Sequence, residues 1–182
     1  MAGIGVPDKV AGHLTRCQVS VFDGVVPDPP IEVVAAGVQA LQDCGAEVMI
    51  AVGGGSTIDC AKIIAAGALY DGDAWDLVLD GKKIQAALPI VAVLTLAATG
   101  SEMDTAAVIS DMASNNKLGT KSEHIRPKAA IMDPSYTETV NAWHTAAGTA
   151  DIMSHILESY FSNAEGYMPV SYTHLTLPTI LL

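Results

Sequence analysis

Basic side chains are scarce: the 182 residues hold 9 Lys and Arg against 20 Asp and Glu, a formal charge of −11. Neutralising a phosphate backbone needs clustered Lys and Arg, and these nine are scattered, which argues against a nucleic-acid partner. Cysteine is scarce too. Cys17, Cys44 and Cys60 are odd in number and lack any CxxC spacing, so a disulfide framework is not expected and the three are read as small buried thiols. Long hydrophobic runs are missing: the longest nearly apolar stretch, Ala86 to Ala98, contains Pro89 and Thr95 and falls short of the ~20 residues that span a bilayer. The opening MAGIGVPDKVAGHL puts Asp8 and Lys9 where a signal peptide needs an unbroken apolar stretch, and the expectation is a soluble cytoplasmic protein with no membrane partner. Aromatics make up only 5 %, yet half of the residues are hydrophobic. That apolar content excludes disorder, and the length suffices for one sound core or for one domain plus a piece of another.

Short β-branched runs alternate with longer helical patterns through the first two-thirds, as in a parallel sheet with helical crossovers. CQVSVF (17–22) reads as a strand and DGVVPDPP as a loop. Apolar positions then recur at helical spacing from Ile31 to Cys44, with Pro29 and Pro30 near the start and Gly45 just past the end. EVMIAV (47–52) suits a strand buried on both faces, GGGS follows, and a helix runs from about Thr57 to Tyr70. PIVAVL (89–94) is another buried strand; AAVIS and the stretch around Leu118 suit an antiparallel pair across Ala113–Asn116; KAAIMDP (128–134) reads as a last strand. From Ser135 to Ser162 the sequence is helix-compatible only, with Gly148 as a weak interruption.

A buried strand, three glycines, a serine and then a helix direct free backbone N–H groups and a helix N-terminus at one point, which suits an anion. Glycine would let a diphosphate approach the backbone closely, and the turn is expected to use positive φ. Ser56 could cap the helix or bond a phosphate oxygen. The run is neither GxGxxG nor a Walker A loop, so a plain strand-to-helix turn with a serine cap stays open. The second loop, TLAATGSEMD (95–104), also leaves a predicted strand and concentrates hydroxyls at Thr95, Thr99 and Ser101. Two such strand ends side by side would form the crevice where parallel sheets bind ligands.

In GTADIMSHILESYFS a 3.6-residue period brings Asp151, His155, Glu158 and Ser162 within about 60° of one another, opposite Ile152, Met153, Ile156, Leu157, Tyr160 and Phe161. A carboxylate and an imidazole at i and i+4 can share one divalent ion; a solvated polar face is the alternative. Two ligands are half a site, and none of His13, His124, His144 and His174 forms a second spaced pair.

These segments, in this order, resemble the iron-containing (group III) alcohol dehydrogenases, and among them the butanol-dehydrogenase-like branch. VFDGVVPDPP resembles that family's approach to its first crossover helix, AVGGGSTIDCAK its pyrophosphate loop, LTLAATGSEMD its second cofactor loop, and IMDPSYT the end of its last Rossmann-side strand. Lys117, followed by Ser122 and Pro127, fits its phosphate-side lysine segment, and TAAGTADIMSHILESY its metal helix. The resemblance covers roughly residues 5–168. It implies an α/β fold: a Rossmann-like, mostly parallel sheet domain over 1–138, lacking its first strand, then the start of an all-α C-terminal domain over 139–170. It implies NAD or NADP and a divalent metal, iron or zinc, in the cleft between them. By position, Gly53, Gly54, Gly55, Ser56 and Asp59 would meet the dinucleotide; Thr95, Thr99, Ser101, Lys117, Tyr136 and Thr139 would line the rest; Asp151 and His155 would be the first two metal ligands.

The activity implied is interconversion of small primary alcohols and aldehydes by hydride transfer, in an enzyme expected to be a homo-oligomer. Two alternatives stand beside it: a stand-alone dinucleotide- or phosphate-binding module without catalysis, and a glycerol-dehydrogenase or dehydroquinate-synthase relative sharing GGGS, which TGSE with DxxxH fits less well. No residue is singled out as a general base. Against the family pattern, the first strand would lie before Met1, a proline is replaced near Asn141, and two further ligand histidines would lie beyond residue 170. The uncharged ending SYTHLTLPTILL (171–182) resembles adaptor-derived sequence and is expected to be foreign, with His174 no ligand. The chain alone is then expected to have little or no turnover, to expose part of the apolar face of 152–161, and to self-associate. The glycine turn and the Asp–His pair are expected to face one shared gap.

Overall fold

A computed structural model describes residues 5–161. Within it, helix α1 spans Val6–His13, α2 Ile31–Cys44, α3 Gly55–Gly67, α4 Ala74–Leu79 and α5 Ala142–Phe161. Strands β1 (Met49–Gly53), β2 (Ile90–Leu94) and β5 (Ala129–Ile131) form one parallel sheet in the order β1-β2-β5, while β3 (Ala106–Asp111) and β4 (Asn116–Lys121) form a separate antiparallel ribbon. Gly53 pairs with Leu94 and Val93 with Ile131, so all three strands end on one side and the loops that leave them are neighbours. The expectations for Ser162, His174 and the tail 171–182, and for helix continuing to 170, fall outside the described residues.

Local chemistry accounts for several element ends. Gly45 closes α2 in the left-handed conformation (φ 61°), its N–H donating to Leu41 O at 3.1 Å, the role glycine fills because it carries no Cβ. Asp73 caps α4 by accepting from Trp75 N–H at 2.8 Å. The β3–β4 ribbon joins Asp111 to Asn116 across the expected turn.

Helix α3 is the centre of the packing. Its Ile58 and Ala61 meet Ala51, Ala92 and Leu94 of the parallel sheet. Cys60, Ile63, Ile64 and Ala66 meet Val34 and Leu41 of α2, Leu77 and Val78 of α4, and Ala107 and Ile109 of the ribbon. A helix apolar on nearly every side is one enclosed by two layers.

Three expectations change. Residues 17–22 form no strand: Val19, Val21 and Phe22 are exposed, and extended backbone becomes a strand only beside a hydrogen-bonding neighbour. Strand β1 is half-buried except at Ala51, since it lies at an edge of the described sheet. Of the thiols, Cys17 and Cys44 are exposed and only Cys60 is buried: Cys17 opens that uncovered segment and Cys44 ends its helix. Burial, with the Asp59 charge second, pushes the Cys60 thiol up to about 12. At roughly pH 8 the native protein should therefore give two fast equivalents with a disulfide reagent and the third only after denaturation. Three fast equivalents would mean that the core around α3 opens readily.

Candidate dinucleotide and metal site

The glycine turn joins β1 to α3 at the carboxyl end of the sheet. Gly54 precedes the helix in an extended conformation (φ −86°, ψ −170°) and offers no side-chain cap. None of the three glycines has positive φ; in this region that conformation belongs to Gly100 (φ 75°), whose carbonyl accepts from Met103 and Asp104 N–H. What excludes side chains from the triplet is crowding by the protein itself. A Cβ on Gly53 would lie 2.6 Å from Thr57 Cβ, and one on Gly55 would lie 2.7 Å from the Thr99 hydroxyl. Ser56 sits in the first turn of α3, not at its cap, and its Oγ accepts from Asp28 N–H at 3.4 Å. The N–H groups of Gly55 and Ser56 have no intrahelical acceptor by their position, so the anion-binding geometry is in place.

The second loop is fastened to the first. Thr95 N–H donates to Gly53 O at 3.1 Å, and Ser101 N–H donates to Thr99 Oγ1 at 3.4 Å. Behind the two loops lies a network that sequence reading missed. Lys62 is fully buried on α3, and its ammonium donates to Ser101 Oγ (3.0 Å), Asp104 Oδ1 (2.6 Å) and the Ala106 carbonyl (2.7 Å), one acceptor for each of its three protons. Ser101, itself 2 % exposed, donates onward to Asp59 Oδ1 at 2.5 Å, while Asp59 Oδ2 accepts from Val108 N–H at 3.0 Å. Desolvation raises the Asp59 carboxyl above its usual range, against the lowering effect of the Ser101 and Val108 bonds and of Lys62. Asp59 and Ser101 thus hold protein to protein. The available signal was a lone lysine three residues after Asp59 on an otherwise apolar helix.

Lys117, exposed on β4, pairs at 2.6 Å with Asp28, 89 residues earlier in the sequence, and Asp28 reaches Ser56 through its N–H, so the lysine is linked to the glycine turn. Asp28 holds a left-handed φ of 53° there, uncommon for a residue with a Cβ. A cleft of about 440 Å³ opens beside the pair, lined by Asp28, Ser110, Met112 and Lys117 among others. Tyr136, half-buried in the 3-10 turn Pro134–Thr137, and exposed Thr139 follow the end of β5.

Helix α5 carries the Asp–His pair. Its buried stripe repeats every four residues, at Gly148, Ile152 and Ile156, while Met153, Leu157, Tyr160 and Phe161 stay exposed. The apolar face is covered on one side only. Gly148 makes a close approach: a Cβ there would lie 2.9 Å from the Ala97 carbonyl, so this residue is a contact with the second loop. His155 Nε2 lies 3.7 Å from Asp151 Oδ1 and its Nδ1 3.8 Å from Glu158 Oε2, with the Asp151 and His155 side chains about half exposed. Two donors bound to one tetrahedral ion at ~2.1 Å stand about 3.4 Å apart, so the pair fits one edge of a metal shell. Among the described residues no third His, Cys, Asp or Glu completes it, and no helix is long and apolar enough to cross a membrane.

The family model for iron-containing alcohol dehydrogenase matches residues 1–134. NADH-dependent butanol dehydrogenase B of Clostridium acetobutylicum is 52 % identical over 163 residues, 88 % of this chain and 42 % of that protein. An NADPH-dependent aldehyde reductase of Escherichia coli is 38 % identical over 159 residues, 86 % of this chain and 41 % of the reductase. The crystal structure of NADH-dependent butanol dehydrogenase A from Thermotoga maritima matches with a TM-score of 0.85 at 40 % identity, covering 94 % of this chain and 43 % of that one. The chain spans less than half the length of these relatives.

Proposed function

The chain belongs to the iron-containing alcohol dehydrogenase family, and from that premise we propose that it forms the dinucleotide-binding part and one edge of the metal shell of an enzyme interconverting small primary alcohols and aldehydes. Residues 1–138 are the Rossmann-like unit, and the helix after Thr139 opens the metal-binding domain. One observation carries the reading: Gly148 against the Ala97 carbonyl. That contact brings the helix that carries the carboxylate–imidazole pair against the second loop, and ligands of parallel α/β sheets bind at such strand ends, which supports the reading.

The glycine turn would take the diphosphate of NAD or NADP on the N–H groups of Gly55 and Ser56 and the positive end of α3. Gly53 and Gly54 keep the turn low. Lys117, tethered through Asp28 and Ser56, adds a positive charge beside it. Thr95, Thr99, Tyr136 and Thr139 line the neighbouring strand ends. Asp151 and His155 would hold iron or zinc, with Glu158 orienting the imidazole from its Nδ1 side. When bound, the ion supplies Lewis acidity toward the substrate oxygen and the nicotinamide carries the hydride. The side chains described here position and polarise; no proton-transfer role is assigned to any of them.

The test is to measure NADH binding and metal content on one preparation of the chain. Stoichiometric metal together with saturable NADH binding supports the reading. Binding of NADH without metal favours a dinucleotide-binding module lacking catalysis, and absence of both sinks either.

A further inference from the structure

We propose that Lys62 is a positioning residue for the dinucleotide: its buried ammonium fixes the second loop against the glycine turn, so that Thr99 keeps its place over the start of α3, where the diphosphate would bind. The inference rests on the functional reading above and assigns Lys62 a role that the loop residues do not have, since its ammonium is sealed from solvent and reaches the site only through Ser101.

The argument follows the bonds. Lys62 and Asp59 lie one turn apart on α3, the helix that begins at the glycine turn. From there Lys62 grips Ser101 and Asp104 of the second loop and the Ala106 carbonyl where β3 begins, while Asp59 grips Ser101 and Val108. Ser101 N–H in turn fixes the Thr99 hydroxyl, which stands 2.7 Å from where a Gly55 Cβ would be. The position of Thr99 over the turn is therefore set through Ser101 by a cation no solvent reaches. Lysine is seldom fully buried, and here all three of its protons are used, on two residues of the second loop and the first residue of β3. A solvated lysine would do none of this, and an apolar side chain of the same length would leave Asp104 and the Ala106 carbonyl without their partner.

The test titrates NADH by fluorescence into the full chain and three variants, each checked for its circular dichroism and thermal midpoint. Lys62→Met removes the ammonium and keeps the length. Asp104→Asn keeps an acceptor but removes the ion pair, and is the milder change because Asp104 is 43 % exposed. Val34→Ala, in the core away from both loops, supplies a comparable loss of stability without touching the network. The expected result is a tenfold or greater loss of NADH affinity in Lys62→Met and about threefold in Asp104→Asn, with Val34→Ala within twofold of the parent. Unchanged affinity in folded Lys62→Met, or, should that variant not fold, in Asp104→Asn, overturns the inference alone. Equal losses in Val34→Ala and the network variants reduce Lys62 to a stability residue and also overturn it. A parent chain that binds no NADH overturns the dinucleotide reading and this inference with it.

Discussion

Replacing His155 with alanine is expected to lower the affinity of the chain for a divalent ion by about 100-fold or more, the upper end of what losing even an outer-shell partner does. Among the described residues only two donors are in place, His155 Nε2 and Asp151 Oδ1, 3.7 Å apart on adjacent turns of α5. With one gone the other is an exposed side chain that water competes for freely. Asp151→Ala should behave alike. Glu158→Gln should cost less, up to about tenfold, because its carboxylate faces the ring nitrogen turned away from Asp151. His144→Ala serves as the control: that ring is on the same helix but bonded to Asn141. Cobalt(II) titration followed by absorbance reads all four, and a His155→Ala chain that binds cobalt like the parent would remove the metal site from this helix.

Gly148 gives the second large effect, and its sign is diagnostic. Glycine inside a helix is less favourable than alanine by about 1 kcal/mol, so on helix propensity alone Gly148→Ala stabilises. The close approach opposes this: a Cβ at 2.9 Å from the Ala97 carbonyl meets backbone, which cannot rotate away, and overpacking of that kind costs about 1–3 kcal/mol. Alanine should therefore be neutral to destabilising. Gly148→Val, which recovers little propensity and adds two methyl groups, should destabilise by about 2–3 kcal/mol and weaken NADH binding at the displaced loop. Ala147→Val, at an exposed neighbouring position, should change stability by about 0.5 kcal/mol. Denaturant unfolding of the three variants decides the matter; a stabilised Gly148→Ala chain would mean that α5 does not rest on the second loop.

Of the candidate residues, those carried by local pattern were readable and those carried by long-range contact were not. Asp151 and His155 follow from the helical period, and the glycine turn follows from a strand, three residues without side chains and a helix. The positive φ expected of the glycine turn lies at Gly100 instead, and the crowding of Gly55 by Thr99 depends on how two loops meet. Residues 17–22 show the same limit: a β-branched run is an offer of a strand, and a ladder needs a second chain segment beside it. Gly148 looked like a flaw in a helix and is a contact, since propensity describes an isolated helix while the carbonyl it meets lies 51 residues earlier.

The order of residues alone signalled the alternation of strands and helices, the parallel sheet, the ribbon and the amphipathic helix, because each leaves a periodic pattern that is written within a few positions of the chain. Only the tertiary structure decided that Lys62 is sealed inside, that Asp59 and Ser101 bond to the protein, that two of three cysteines are exposed and that α5 rests on the second loop. Burial and hydrogen-bond partners are properties of distance in space, and residues 42 positions apart come within bonding range only after the sheet has brought its strand ends together.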